Sequence, residues 1–146
     1  MNPLTGRRLG FTLVEMAMVI AVVGLLSLMT LQRVSAIIQR NQVNRATAAV
    51  AADLESAFSM AARQRRPIRI SCCTNVSYTF ADRTGGTVRL QRSLLDHGVT
   101  TLTFSTTPVD IFPSGVATSA DTVTIGAGGY TRRIVMTSAG LVRILP

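Results

Sequence analysis

Residues 11–31 read FTLVEMAMVIAVVGLLSLMTL, an almost unbroken apolar run in which only Thr12, Glu15, Ser27 and Thr30 are plainly polar. As an α-helix this run spans about 32 Å at roughly 1.5 Å per residue, which matches the roughly 30 Å hydrocarbon core of a bilayer. The short polar segment before it, residues 1–10, carries Arg7 and Arg8. Those charges favour a cytoplasmic N-terminus, although Arg33 and Arg40 beyond the run reduce the asymmetry. Three simple explanations of the run compete. A secretory signal peptide does not account for Glu15 inside the apolar stretch, nor for the lack of a small-x-small site ahead of polar sequence. A twin-arginine signal built on Arg7 and Arg8 meets the same acid and too strong an apolar run. An ordinary membrane anchor explains the run and leaves Glu15 unexplained.

A carboxylate within a bilayer costs about 2.5–3.5 kcal/mol on insertion scales, so Glu15 is expected to have a partner. A cut after Gly10 would give Phe11 a free amine one helical turn from Glu15. In a neighbouring copy packed side by side, the same carboxylate could reach that chain's amine. A buried acid of this kind sets register between helices.

Beyond Gln32 the apolar pattern becomes periodic. Val43, Ala46, Val50, Leu54, Ala57 or Phe58, and Ala61 recur at steps of three or four, while Asn44, Arg45, Asp53, Glu55 and Ser59 fill the other faces. No proline interrupts residues 11–66, Arg63, Arg65 and Arg66 suit the negative end of a helix, and Pro67 stops it. The pattern predicts one helix of about fifty residues, far longer than the globular average. Its first half is apolar all round and its second half amphipathic. After Pro67 the period changes to two. Ile68, Ile70 and Cys72 alternate with polar neighbours, as do Val76, Tyr78 and Phe80, and residues 82–86 turn the chain into a hairpin with 87–91. Further strands are expected at 99–104, 122–125, 130–137 and 141–145, with loops at Pro108, Pro113, Gly115 and 117–121. The fold class is therefore α+β, a long N-terminal helix with a membrane-spanning first half, packed on an antiparallel β-sheet head. Its segments are a leader (1–10), a transmembrane or filament-core helix (11–33), the amphipathic half of the same helix (34–66) and a β-rich head (67–146).

The formal charge of +8 comes from fifteen arginines against seven acids, without lysine. It is spread evenly, since residues 34–66 and 67–146 each net +3. That distribution argues against a dense nucleic-acid stripe. Cys72 and Cys73 are adjacent and have no second pair or spaced histidine, so no zinc site is expected. Across a trans peptide their Cα atoms would lie about 3.8 Å apart, below the usual disulfide minimum of about 4.4 Å, which favours free thiols. No catalytic constellation is expected either. His97 is the only histidine, and the adjacent Asp96 cannot orient it as a triad does, while Ser93 reads as a loop residue. The Gly-Ala-Gly-Gly stretch at 126–129 lacks the Lys-Ser/Thr of a phosphate loop. No cofactor or metal is implied.

The sequence Gly10-Phe11-Thr12-Leu13-Val14-Glu15, followed by an apolar helix, resembles the prepilin cleavage and N-methylation motif of type IV pilins and type II secretion pseudopilins. The resemblance implies cleavage between Gly10 and Phe11 by a prepilin peptidase, methylation of the Phe11 amine, and assembly through Glu15. The second half of the chain, from Ala52-Asp53-Leu54 through Ile111-Phe112-Pro113-Ser114-Gly115 to a closing Arg-Ile-Val-x-x-x-x-Gly-x-Val-Arg, is similar to GspH/FimT-type minor pilins. Such a protein would sit singly across the inner membrane with its head in the periplasm, contact lipid before assembly, and then join other pilin or pseudopilin subunits in an envelope filament. Some FimT proteins bind DNA in natural transformation through a C-terminal Gly-Arg-x-Arg element. Here the matching stretch is Gly140-Leu141-Val142-Arg143, which keeps only the glycine and the last arginine, with Arg132 and Arg133 on the adjoining strand. The implied function is a structural minor subunit. A DNA-binding minor pilin using Arg132, Arg133 and Arg143, and a membrane-anchored envelope domain that never polymerises, are the alternatives.

Overall fold

A computed structural model describes residues 10–145, apart from the side chains of residues 28–33. The leader other than Gly10, with Arg7 and Arg8, lies outside the described residues. The chain divides into two units, Met1–Ala36 and Ile37–Pro146.

Helix α1 runs Leu13–Gln64, 52 residues. Its start is capped by Thr12. The Thr12 hydroxyl accepts the Glu15 amide hydrogen at 3.3 Å, and Glu15 places a negative charge in the first turn, where the helix dipole favours it. The helix ends two residues before the expected limit, because Arg65 turns into the left-handed region at φ 52° ahead of Pro67. In the first unit every described residue from Phe11 to Ser27 is exposed, apolar ones included. Among the described residues no helix is long and apolar enough to cross a membrane. The described stretch 13–27 would span only about 22 Å, short of a bilayer core, and the expected run continues into residues 28–31.

In the second unit, Val43, Ala46, Val50, Leu54, Ala57 and Ala61 are wholly buried along one face of α1. Three of the six are alanines. The head is not one sheet, as expected, but two four-stranded antiparallel sheets. Sheet A contains β1 (Ile68–Cys72), β2 (Ser77–Asp82), β3 (Val88–Ser93) and β5 (Val109–Ile111) in the order β3-β2-β1-β5. Sheet B contains β4 (Thr101–Phe104), β6 (Asp121–Ala127), β7 (Tyr130–Met136) and β8 (Val142–Leu145) in the order β4-β6-β7-β8. Strand β5 escapes sequence reading because it is three residues long and follows Pro108 directly. Alternation at period two buries Ile68, Ile70, Tyr78 and Phe80 from sheet A and Leu102, Val123, Ile125, Ile134 and Met136 from sheet B in a common core with the helix. Tyr78 and Phe104 join the sheets, with ring centroids 6.4 Å apart.

Two turn glycines in the left-handed region lie against helix side chains. Gly98 (φ 68°) and Gly128 (φ 57°) lie against the Gln42 and Gln39 side chains, and a Cβ at Gly128 would stand 2.1 Å from the Gln39 amide oxygen. The peptide between Cys72 and Cys73 is cis, whereas the distance argument assumed trans.

Candidate assembly and docking surfaces

Gly10 and Phe11 precede the helix, and Phe11 is 72% exposed, so the expected cleavage point lies on accessible, non-helical chain. Glu15 is exposed one turn further on. Its amide is tied to the Thr12 hydroxyl, a local role that leaves the carboxylate itself without a partner inside the helix start, among the described residues.

In the head, charge is sorted by sheet. Asp53, projecting from α1, accepts hydrogen bonds from Arg92 Nε at 2.6 Å and Nη2 at 3.1 Å and from the Tyr78 hydroxyl at 2.5 Å. Burial, with the Asp53 hydrogen bond behind it, holds the Tyr78 hydroxyl far above the ordinary phenol range. Asp82, buried at the end of β2, is gripped by Arg89 at 2.6 Å, with Arg66 at 3.9 Å. Asp110 on β5 takes a forked pair from Arg69 at 2.7 and 3.0 Å and a third contact from Arg83 at 3.2 Å. The Arg89 hydrogen bond and charge hold Asp82 below the usual carboxylate range, and Arg69 does the same for Asp110. Sheet A is thus locked to the helix and to itself by pairs in fork geometry, the arrangement arginine makes best.

Sheet B has no such pairs. Its one acid, Asp121, is buried, and one carboxylate oxygen accepts from Ser105 Oγ, the Thr106 amide and its neighbour's amide. The three arginines singled out from the sequence do not form one patch. Arg132 lies on the helix-facing side, where Nε donates to Tyr130 Oη at 2.9 Å and to Asn44 Oδ1 at 3.2 Å, while Arg40 stacks over the Tyr130 ring at 5.6 Å. Arg133 and Arg143 fall on the opposite, outer face by the period-two rule, diagonal to each other across the Val135–Arg143 pairing. Both are exposed, and neither meets a carboxylate among the described residues. Gly140 has a packing role of its own. At φ 85°, a Cβ there would lie 3.2 Å from the Phe58 ring and 3.5 Å from the Gly115 carbonyl, so the turn at 137–140 closes on the loop at 112–115.

The outer face of sheet A carries an open, uncharged groove of about 540 Å³ lined by Thr74, Asn75, Ser77, Gln91, Ser93 and Leu95. His97 and Asp96 sit in a short 3-10 turn, and the Ser93 hydroxyl accepts the Leu95 amide hydrogen. Among the described residues no three His, Cys, Asp or Glu side chains gather where a metal could be held.

Residues 46–140 match the family described as type II transport protein GspH. The chain belongs to the GspH family. The match begins at Ala46, inside the buried stripe of α1, and closes at Gly140, so it takes in the helix-on-two-sheets core. The fold of this GspH-family chain is also that of two solved structures. The type IV minor pilin FimU of Pseudomonas aeruginosa is similar at TM-score 0.61 and 19% identity, over 73% of this chain and 90% of that one. The minor pseudopilin EpsH from the type 2 secretion system of Vibrio cholerae gives TM-score 0.59 and 16% identity, over 71% and 96%. Among curated proteins no sequence match is found. The GspH-family assignment makes the chain type IV pilin-like, as its N-terminal motif implied.

Proposed function

We propose that this chain is a structural minor subunit of a type IV pilus or a type II secretion pseudopilus, held in the inner membrane and then in the filament by the first half of α1. The observation that carries this is the helix itself. From Leu13 to Leu26 its apolar side chains are exposed on every side, whereas from Val43 onward the same helix contributes to the core of a folded head. An all-round apolar helix needs lipid or other helices about it. FimU and EpsH, which share the fold, are minor subunits of these two filament types. Cleavage between Gly10 and Phe11 and methylation of the new amine complete the scheme, with Glu15 pairing to the amine of an adjoining subunit.

The intact mass and N-terminal fragments of the protein from its native membrane test processing. A chain beginning at methylated Phe11 is expected; retention of residues 1–10 in cells with active prepilin peptidase would leave a membrane-anchored domain instead. Two variants separate the roles of Glu15. Glu15→Gln removes the charge and keeps the side chain's size and polarity, whereas Glu15→Ala removes the side chain; both keep the backbone amide bond to Thr12. Both are expected to insert in the membrane and to fail to enter filaments. Normal incorporation of Glu15→Gln would show that assembly does not need the Glu15 charge.

A further inference from the structure

The head holds more arginine than it can neutralise. Residues 37–146 contain twelve arginines and six acids. Asp53, Asp82 and Asp110 are occupied by Arg92, by Arg66 and Arg89, and by Arg69 and Arg83, and Asp121 is buried among hydroxyl and amide donors. Seven arginines are left without an ion pair among the described residues, and the only exposed acids in the head are Glu55 and Asp96. Two of the seven, Arg133 and Arg143, stand on the outer face of sheet B. Thr103, Thr122, Thr124 and Val135 share that face, and among the described residues no acidic side chain does.

We propose that the outer face of sheet B docks the acidic head of an unlike filament subunit and by the same charge turns away a second copy of this chain. The proposal rests on the filament-subunit assignment and names the chemistry of the neighbour. A two-fold contact of this face with itself would set Arg133 and Arg143 against their own copies, and like charges across an interface cost several kcal/mol. In a head-to-tail contact, the head of a second copy offers only two exposed acids, Glu55 on α1 and Asp96 in the turn after β3, each on a separate element. Nucleic acid is a poorer fit. Two arginines supply about two phosphate contacts, against the 6–10 or so of salt-sensitive duplex binders, and the face has no aromatic ring for a base to stack on. A protein surface asks for less charge. Arginine forks fix its register on carboxylates, threonine hydroxyls exchange hydrogen bonds, and Val135 adds apolar contact.

The test uses the full chain in its own cells, with a photoreactive phenylalanine analogue replacing either Thr124, which pairs directly with Arg133, or Val19 in the apolar helix. Irradiation at position 124 is expected to yield an adduct with a different pilin-like subunit, through a segment bearing Asp or Glu. R133E/R143E should lower that yield about tenfold or more and leave the position-19 adducts unchanged. The proposal is overturned by an adduct between two copies of this chain, by an adduct to nucleic acid, by a yield indifferent to charge reversal, or by no adduct at position 124. Position 19 keeps the two questions apart. Subunit adducts there with none at 124 would sink the docking face alone, and none at either position would sink filament assembly itself.

Discussion

In sheet A, Arg69, Arg89 and Arg92 each meet a carboxylate within 2.7 Å; in sheet B, Arg132 turns to neutral partners, and Arg133 and Arg143 meet no carboxylate among the described residues. The two sheets otherwise do the same job, each burying one apolar face in a shared core with α1. The difference shows how a net charge can mislead. Spread evenly along the sequence, it is sorted by the fold into a sheet whose arginines stabilise the domain and a sheet whose arginines are left for something else.

The largest effect on this comparison should come from Asp53→Ala. It leaves Arg92 and the Tyr78 hydroxyl without their shared acceptor, a loss of about 2–4 kcal/mol. Urea unfolding of the full chain in mild detergent, followed by circular dichroism, measures it. Hydrogen exchange should show β2 and β3 losing protection before β6 and β7; equal loss in both sheets would mean that the pair stabilises the head as a whole. Gly128→Ala comes next. A left-handed φ and the Gln39 side chain both oppose a methyl group there, and a cost of about 1–3 kcal/mol is expected in the same measurement. A stability like that of the unaltered chain would mean that Gln39 can swing clear.

Acid should act through sheet A. Asp82 and Asp110 have folded-state pKa values below the ordinary carboxylate value, each chiefly through an arginine hydrogen bond. Their contribution is complete above the unfolded pKa of about 4 and is lost as pH falls through the depressed folded values. The urea midpoint should therefore fall between about pH 5 and pH 2, with amide protection in β1, β2 and β5 declining ahead of β6 and β7. Simultaneous loss would break the contrast between the sheets. The smallest effect belongs to R133E/R143E, two exposed arginines without ion pairs, whose replacement should change stability by no more than about 0.5 kcal/mol. A larger loss would show that sheet B does depend on them.

Much of the architecture was legible beforehand. The steps of three and four from Val43 to Ala61 placed the buried stripe of the helix, Pro67 marked its end to within a few residues, and alternation located seven of the eight strands. Glu15 drew notice because a lone acid in an apolar run is costly, although its capping bond to Thr12 was missed. The candidate arginines on β7 and β8 were only half legible. Adjacent strand residues point to opposite faces, so Arg132 and Arg133 could not both join Arg143.

The sequence by itself determined the long helix, its change from all-round apolar to amphipathic, and the passage to strands, because those properties are written in spacing between near neighbours. Tertiary structure alone decided the rest. Strand pairing across tens of residues divided the head into two sheets, brought Asp110 beside Arg69 and Arg83, closed Gly140 over Phe58, and left Arg133 and Arg143 without acids. Periodicity tells a residue which side of its own strand it occupies. Its partners depend on which strands the core draws together, and that is settled only when the whole apolar surface is buried at once.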